Sequence, residues 1–557
     1  MQRQLTRDKM QRILKQNMQQ IIQLTKEGHF TVEEIKTAYL LRALDIAVDN
    51  NYLAELIIED KEQSRPRQMI IGQSERQKVK PDHSLYGLTF SVADCIYQDG
   101  YDCTNGNVFR SLKPQNTNAI FIQALIDLQA MPLFRSSVNQ STQVVDNNCW
   151  VKECNNNIWG RANNPHKKEF STGGSCGGEA ALVSTFSAGI GIGIDQFGCS
   201  RYPAACCGVS AFKPTSSRVS CQGISKINMQ TQVCKAVITP MARSVKDLTH
   251  IFKCLWDSQI MSHYDNSISP IKFREPSNLQ SKDKALIIGY YMGDGIIEPS
   301  YSSKQALLMV KEVLEEQGHT LIEFKLGAEQ QLQQIVILAY KLICSGGNLG
   351  LYTQALEGES QIEEMQKILH QAKLSNSFKD KLIEILKSLR QDRMSIIMEA
   401  TKSLSAQEFI ELNAQLNTQI RNFTDYWILM QFDAVISPAS PLPAIPHKLS
   451  SELFTLNSNL MLYNILDYPS GVLPVKLVTS EDIKLNEQQI KGRGSSNIQV
   501  QHDRISEFMR IAQTDSQGLP IGVQVATLPN QDEKCLFIME LIEKLVGFNE
   551  LSLAYLY

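Results

Sequence analysis

Between residues 173 and 215 the chain gathers glycines, hydroxyls and thiols in an order suited to stabilising a negative oxygen. The run Gly173-Gly174-Ser175-Cys176-Gly177-Gly178-Glu179-Ala180-Ala181-Leu182 is followed by Ile190-Gly191-Ile192-Gly193-Ile194-Asp195 and then by Gly198-Cys199-Ser200-Arg201-Tyr202-Pro203-Ala204-Ala205. Cys207-Gly208-Val209 and Phe212-Lys213-Pro214-Thr215 close the segment. A glycine-rich loop that opens onto a helix lets backbone N–H groups approach a developing negative charge, and glycines with a proline hold a tight turn beside a buried strand. Close packing of a helix on a strand demands the same glycines, so the loop alone does not assign a chemistry.

These residues need a rigid frame, and the surrounding pattern supplies one. Ile190 to Asp195 reads as a strand and the residues after Gly178 as a small-residue helix. Further along, Ala285 to Tyr291 predicts a strand, Ser303 to Gln317 a helix with Ala306, Val310, Val313 and Leu314 inward and Gly318 as its C-terminal stop, and Thr320 to Phe324 a second strand, a βαβ unit. Later strands are predicted at Ala434 to Ser437, Gly471 to Val475 and Ile521 to Val525, beside proline or glycine punctuation. Alternating strands and helices imply an α/β sheet. Residues 361–430 read as amphipathic helices inserted between sheet elements, laced with Lys379, Lys381, Glu384, Lys387, Arg390 and Arg393. Residues 478–505, with Gly492-Arg493-Gly494-Ser495-Ser496, form the one polar stretch that reads as a linker.

The first 80 residues look helical. Thr31-Val32-Glu33-Glu34 has capping-box spacing and predicts a helix over 32–48. Residues 1–24 carry Arg3, Arg7, Lys9, Arg12 and Lys15, with Met10, Leu14, Met18 and Ile21 on one face; an amphipathic docking helix and an organelle presequence share that pattern. The expected organisation is an N-terminal helical segment, 1–80, packed on one unit spanning 81–557, with Ser64-Arg65-Pro66-Arg67 near the junction.

Composition narrows the function classes. A net charge of −3, from 55 basic and 58 acidic residues, gives no reason to expect nucleic acid or an anionic membrane surface. The 13 cysteines include no C-x-x-C pair and no secretory leader precedes them, which fits a reducing compartment. The nine histidines fall in no ligand spacing, so neither metal nor other cofactor is expected. No apolar run approaches the roughly 18 residues of a membrane span.

The ordered motifs G-G-S-x-G-G, D-x-x-G-x-x-R-x-P-A-A-x-C-G and K-P-T resemble the amidase signature family. Leu85-Tyr86-Gly87, Thr239-Pro240-Met241-Ala242-Arg243, Leu462 to Val472 and Gly518 to Gln524 are similar in particular to its fatty acid amide hydrolase branch, so the resemblance covers roughly residues 20–550. It implies a central twisted mixed β-sheet covered by helices on both faces. It also implies amide cleavage by a serine nucleophile, a bridging serine in a cis peptide, and a lysine acting as base and then acid. The bridging serine falls on Ser175, and the aspartate and arginine that support the nucleophile's turn fall on Asp195 and Arg201.

Three positions depart from that pattern. The lysine falls on Ala93, in Leu85 to Asp94, and alanine has no group to accept a proton. The nucleophile falls on Cys199; a thiol can attack, yet expelling an amine needs a proton donor that Ala93 does not provide. The oxyanion loop reads Gln196-Phe197-Gly198-Cys199, with a bulky ring where the family has glycine. Small, inert packing residues remain the plain alternative for Cys199, Cys176, Cys206 and Cys207. The expectation is a catalytically impaired, fatty acid amide hydrolase-like pseudoenzyme serving as a structural or binding subunit of a larger assembly or a homo-oligomer. Two alternatives stay open: an amide or ester hydrolase using Cys199 and Ser175, and a non-catalytic binder of acyl amides or lipids. An intracellular, foremost cytoplasmic setting is expected, with mitochondrial or cytoskeletal assemblies as further settings.

Overall fold

The strands at the centre of the molecule are short runs of small and branched residues with no polar face, so they are stable only if covered on both sides. In the computed structural model, which describes residues 5–57, 84–142, 153–225, 233–275, 285–324, 328–345, 356–490 and 503–548, eleven such strands make one sheet. In chain order they are β1 (Leu53–Leu56), β2 (Thr89–Ala93), β3 (Met131–Ser136), β4 (Ile190–Asp195), β5 (Ser210–Lys213), β6 (Val237–Ala242), β7 (Ile287–Tyr290), β8 (Thr320–Glu323), β9 (Ala434–Pro438), β10 (Ser470–Leu477) and β11 (Pro520–Ala526). Across the sheet the order is β1-β3-β2-β4-β6-β5-β10-β11-β9-β7-β8. β2 pairs in parallel with β3 and β4, and β7 in parallel with β8 and β9, while the other neighbours run antiparallel. Every residue of β2, β4, β5, β6, β9 and β11 is buried. Helices on both faces provide the cover, the α/β arrangement expected from the sequence.

The glycines of β4 set the closest approach. Gly191 lies under helix Gly177–Ser184, where a methyl group would meet Glu179 Oε2 at 2.7 Å, and Gly193 packs on Ser200 and on Cys176 just before that helix. Helix and strand therefore touch backbone to side chain with no spare layer, and this fixes the helix start, where Ser175 lies, against the end of β4, where Asp195 lies.

The βαβ unit forms as read: β7 and β8 are parallel and joined by helix Tyr301–Glu316, with Gly318 at φ +85° after it. Strands β9, β10 and β11 cover the predicted segments. Between β8 and β9 the chain makes helices Ala328–Ser345, Glu363–Ala372, Asn376–Ser388, Asp392–Ala400 and Ala406–Leu429, the last four in the predicted insertion. The linker expectation needs correction: Ser480–Ile490 is helical, started by Thr479 Oγ1 accepting from Asp482 N at 3.1 Å while Asp482 Oδ2 accepts from Thr479 N at 2.8 Å. Gly492 to Ser496, like Ser64 to Arg67, lie outside the described residues.

The N-terminal pattern resolves into two helices, Arg7–Lys15 and Met18–Lys26, rather than one, because Asn17 caps the second. Leu14, Met18 and Ile21 are buried in the core and Met18 N donates to Asp247 at 3.0 Å, so the segment is docked on the body. Lys9 Nζ pairs with Glu34 at 2.6 Å, tying it to helix Val32–Ile46. No helix among the described residues is long and apolar enough to cross a membrane.

The capping box on helix Val32–Ile46 is complete: Glu34 N donates to Thr31 Oγ1 at 3.2 Å and Thr31 N to Glu34 Oε2 at 3.0 Å. Thr31→Ala is expected to lower unfolding free energy by about 1 kcal/mol, read from the urea midpoint at unchanged m-value.

Candidate active site

The turn between β4 and helix Arg201–Cys207 is organised around one carboxylate. Asp195 accepts from the N–H groups of Gly198 (2.9 Å), Ser200 (3.4 Å) and Arg201 (3.1 Å), so the chain wraps around its side chain. Arg201 grips the same carboxylate from the side, Nε to Oδ2 and Nη2 to Oδ1, both at 2.9 Å. Its remaining donors reach Ser470 Oγ (2.9 Å), Gln524 Oε1 (2.7 Å), Leu460 O (2.9 Å) and Asn464 Oδ1 (2.6 Å). Burial opposes ionisation of Asp195, but the Arg201 charge and these hydrogen bonds outweigh it and hold its pKa down at about 2.

Within that turn Gly198 adopts φ +84°, where a side chain would be strained and would meet Leu460. The neighbouring residues of the expected oxyanion loop are tied to protein partners. Gln196 O accepts from the Cys234 thiol at 2.8 Å and Gln196 Nε2 donates to Cys234 O at 3.1 Å, while Phe197 O accepts from Asn457 Nδ2. Phe197 is buried, and the Gly198 amide is spent on Asp195 rather than on a position open to a substrate. In the glycine-rich loop, likewise, Gly173 N donates to Ser171 Oγ at 2.9 Å and Cys176 N to Cys199 O at 3.2 Å.

That last bond brings Ser175, Cys176 and Cys199 together. Ser175 and Cys199 are both almost fully buried, at 1% and 3% exposure. The Gly174–Ser175 peptide is cis. Gly174 lies on the backbone of Glu153, 2.7 Å from where a methyl group would sit, so only glycine fits there. The Glu153 carboxylate behind it is paired with Arg161 (3.1 Å) and His447. Among the described residues the Ser175 hydroxyl has one side-chain partner, the Cys176 thiol at 3.9 Å, and no lysine or histidine bonds to it. β2 ends at Ala93, whose strand partner is Ser136. Two residues on, the Cys95 thiol meets the Cys176 thiol; that contact, ahead of burial, lowers the Cys176 pKa, while burial first and then the same contact raise that of Cys95.

Two ionisable groups here were not singled out from the sequence. Glu179, inside the glycine-rich motif, is fully buried; Ser91 Oγ donates to it and the Ser136 hydroxyl lies beside it. Desolvation, with too little nearby positive charge to offset it, pushes its pKa up to about 8. Ser91 precedes Ala93 by two residues and Ser136 is the strand partner of Ala93, so Glu179 belongs to the face of the sheet on which Ala93 sits. Lys213, at the end of β5, is also buried, and desolvation lowers its pKa to about 8. Its ammonium donates to Pro214 O at 3.1 Å and not to Ser175. Asn464, Ser470 and Gln524 stood in family-like segments without a role; their spacing from Arg201 along the chain hid the contact.

Known proteins share this frame. A family model described as Amidase matches residues 37–536. The chain is 28% identical over 528 residues to Fatty-acid amide hydrolase 1 of Sus scrofa, covering 95% of this chain and 85% of that one. It is also 28% identical over 523 residues to Fatty acid amide hydrolase 1 of Caenorhabditis elegans, covering 93% and 86%. A solved structure of fatty acid amide hydrolase aligns with a TM-score of 0.74 at 23% identity over 98% of this chain and 87% of that one. A bacterial aryl acylamidase of the amidase signature enzymes aligns with a TM-score of 0.68 at 16% identity, covering 96% and 97%. At these identities the structures establish the fold.

Two expectations follow from the electrostatics. Arg201→Ala leaves a buried carboxylate unpaired and is expected to cost about 3–5 kcal/mol in chemical denaturation. Glu179 binds its proton more tightly folded than unfolded, so its contribution is complete below about pH 4.5 and declines as pH rises towards about 8. In Glu179→Gln, melting temperature should therefore fall less steeply than in the wild type across that window; parallel curves would mean the carboxyl is not protonated.

Proposed function

The chain belongs to the amidase family, and from that premise we propose that it is a catalytically impaired member whose scaffold serves for binding, within a larger assembly. One observation carries this reading: the position that matches the family's lysine is Ala93, fully buried, and the Ser175 hydroxyl has only a thiol beside it among the described side chains. A serine hydroxyl at neutral pH attacks an amide only if a neighbouring group takes its proton, and the leaving amine departs only if a group returns one. A methyl group does neither.

The other ionisable groups do not replace it. Lys213 is committed to Pro214 O, and Glu179, though close to neutrality in its proton affinity, turns its carboxyl to Ser91. A hydrolase working through Cys199 and Ser175 meets the same lack of a donor for the leaving amine. For binding of acyl amides or lipids, the apolar cavity beside Ile337, Ile397 and Thr455 measures about 20 Å³, less than an acyl chain fills.

Purified protein is expected to hydrolyse acyl amides and esters no faster than a Ser175→Ala/Cys199→Ala double variant and to resist labelling by serine-directed fluorophosphonates. Removing a nucleophile from a working site costs on the order of 10⁶ in turnover. Robust turnover that the double variant abolishes would overturn the proposal. Cys199→Ala alone separates the thiol route, because retained activity in it would exclude a cysteine nucleophile.

A further inference from the structure

At the end of the sheet opposite Ser175, where helices Gly177–Ser184 and Arg201–Cys207 finish, the surface folds into a cavity of about 270 Å³. Arg42, Lys168 and Arg243 line it, together with apolar Ile46, Phe186 and Leu477, and no aspartate or glutamate stands in its described wall. Arginines elsewhere in the interior face carboxylates: Arg135 with Asp94, Arg161 with Glu153, Arg201 with Asp195, Arg218 with Glu533, Arg393 with Asp503. The cations of this cavity are less closely paired. Among the described residues Arg243 and Lys168 make no ion pair, and Arg42 reaches only the exposed Asp45 at 3.8 Å. Asp247 lies near Arg243 but spends its carboxylate on Met18 N and the Ser244 cap.

A structural purpose accounts for part of this charge. Arg42 Nε donates to Thr185 O at 2.9 Å, and Arg243 reaches Ala188 O at 3.4 Å while stacking on Phe186 at 4.4 Å. Cations at helix C-termini offset carbonyls that lack partners, but each terminus carries only about half an elementary negative charge. Arg243 also donates to Leu14 O at 3.5 Å and Gln16 O at 3.3 Å at the end of helix Arg7–Lys15, so it is the most committed of the three, while Arg42 and Lys168 carry less of this capping. The Arg42 guanidinium retains its two Nη groups with no hydrogen-bond acceptor among the described residues, and burial lowers its pKa against the weaker opposing pull of Asp45.

We propose that this cavity is a binding site for a small organic anion, its phosphate or carboxylate head held by Arg42, Arg243 and Lys168 and its compact apolar body against Phe186, Ile46 and Leu477. An arginine fork matches either head in bidentate fashion, and the mixed polar and apolar wall suits a ligand with one charged end. Such a site functions whether or not the distant Ser175 region catalyses anything.

Isothermal titration of the full chain with phenyl phosphate and with phenylacetate tests it, the tighter of the two naming the head group. Saturable binding of at least one is expected, with inorganic phosphate and neutral benzyl alcohol each about tenfold or more weaker. Arg42→Gln with Lys168→Gln, which spares the carbonyl-capping Arg243, should weaken binding by about tenfold or more. Raising salt from about 50 to about 500 mM should weaken the wild type several-fold, a readout that needs no folded variant. No saturable binding of either anion, benzyl alcohol binding as well as they do, or affinity indifferent to salt would each overturn the proposal.

Discussion

The Asp195–Arg201 pair is the contact on which the centre of this molecule depends. A carboxylate and a guanidinium withdrawn from water are tolerable only when their hydrogen-bonding capacity is met, because the desolvation cost is several kcal/mol per ion. Here the Arg201 fork closes on Asp195 and its other donors reach Leu460, Asn464, Ser470 and Gln524. The pair consequently joins β4, helix Arg201–Cys207, helix Ser458–Ile465, β10 and β11, which are brought from distant parts of the chain. Three backbone N–H groups directed at the same carboxylate then dictate the shape of the turn that carries Cys199.

The frame and the chemistry are therefore separable. Nothing in the Asp195 network requires a particular side chain at 93, 197 or 199, provided each suits its neighbours. Ala93 and Cys199 are small and buried, and Phe197 fills space with its carbonyl satisfied by Asn457. A fold can keep its architecture while the groups at one end of its strands change, which is why architecture argues more strongly for family than for activity.

Local signals were readable in the sequence and long-range ones were not. The capping box at Thr31 and the βαβ unit from β7 to β8 depend on residues within a few positions or one helical period of each other, and both form as read. The same kind of signal, Thr479 with Asp482, lay unread in a stretch whose polarity suggested a linker, and helix Ser480–Ile490 follows it. Ser175 and Cys199 were legible as neighbours through the family motif, while Cys176, read as inert packing, was not. The partners of Arg201 were not, since Asn464, Ser470 and Gln524 lie far along the chain and only the sheet order brings them together. Glu179 was passed over for another reason: its proton affinity is a property of burial, and burial of one residue in a helix start cannot be read from its type.

Glu179 also shows how a buried carboxyl is accommodated beside Ala93. A buried carboxylate needs a compensating charge, and on the sheet face shared by Ser91, Ala93 and Ser136 it has hydroxyls instead. Arg135 is near enough to attract the negative form, but its own guanidinium is bound to Asp94 at 3.0 Å, so desolvation prevails. The carboxyl responds by keeping its proton to higher pH, which replaces the cost of a buried charge with the smaller one of a buried polar group holding a hydrogen bond. An ammonium at position 93 would add charge to this face; alanine leaves it without one. The uncharged side chain at position 93 and the raised pKa of Glu179 thus belong to the same electrostatic balance, and this face of the sheet is held by hydroxyls and a carboxyl rather than by an ion pair.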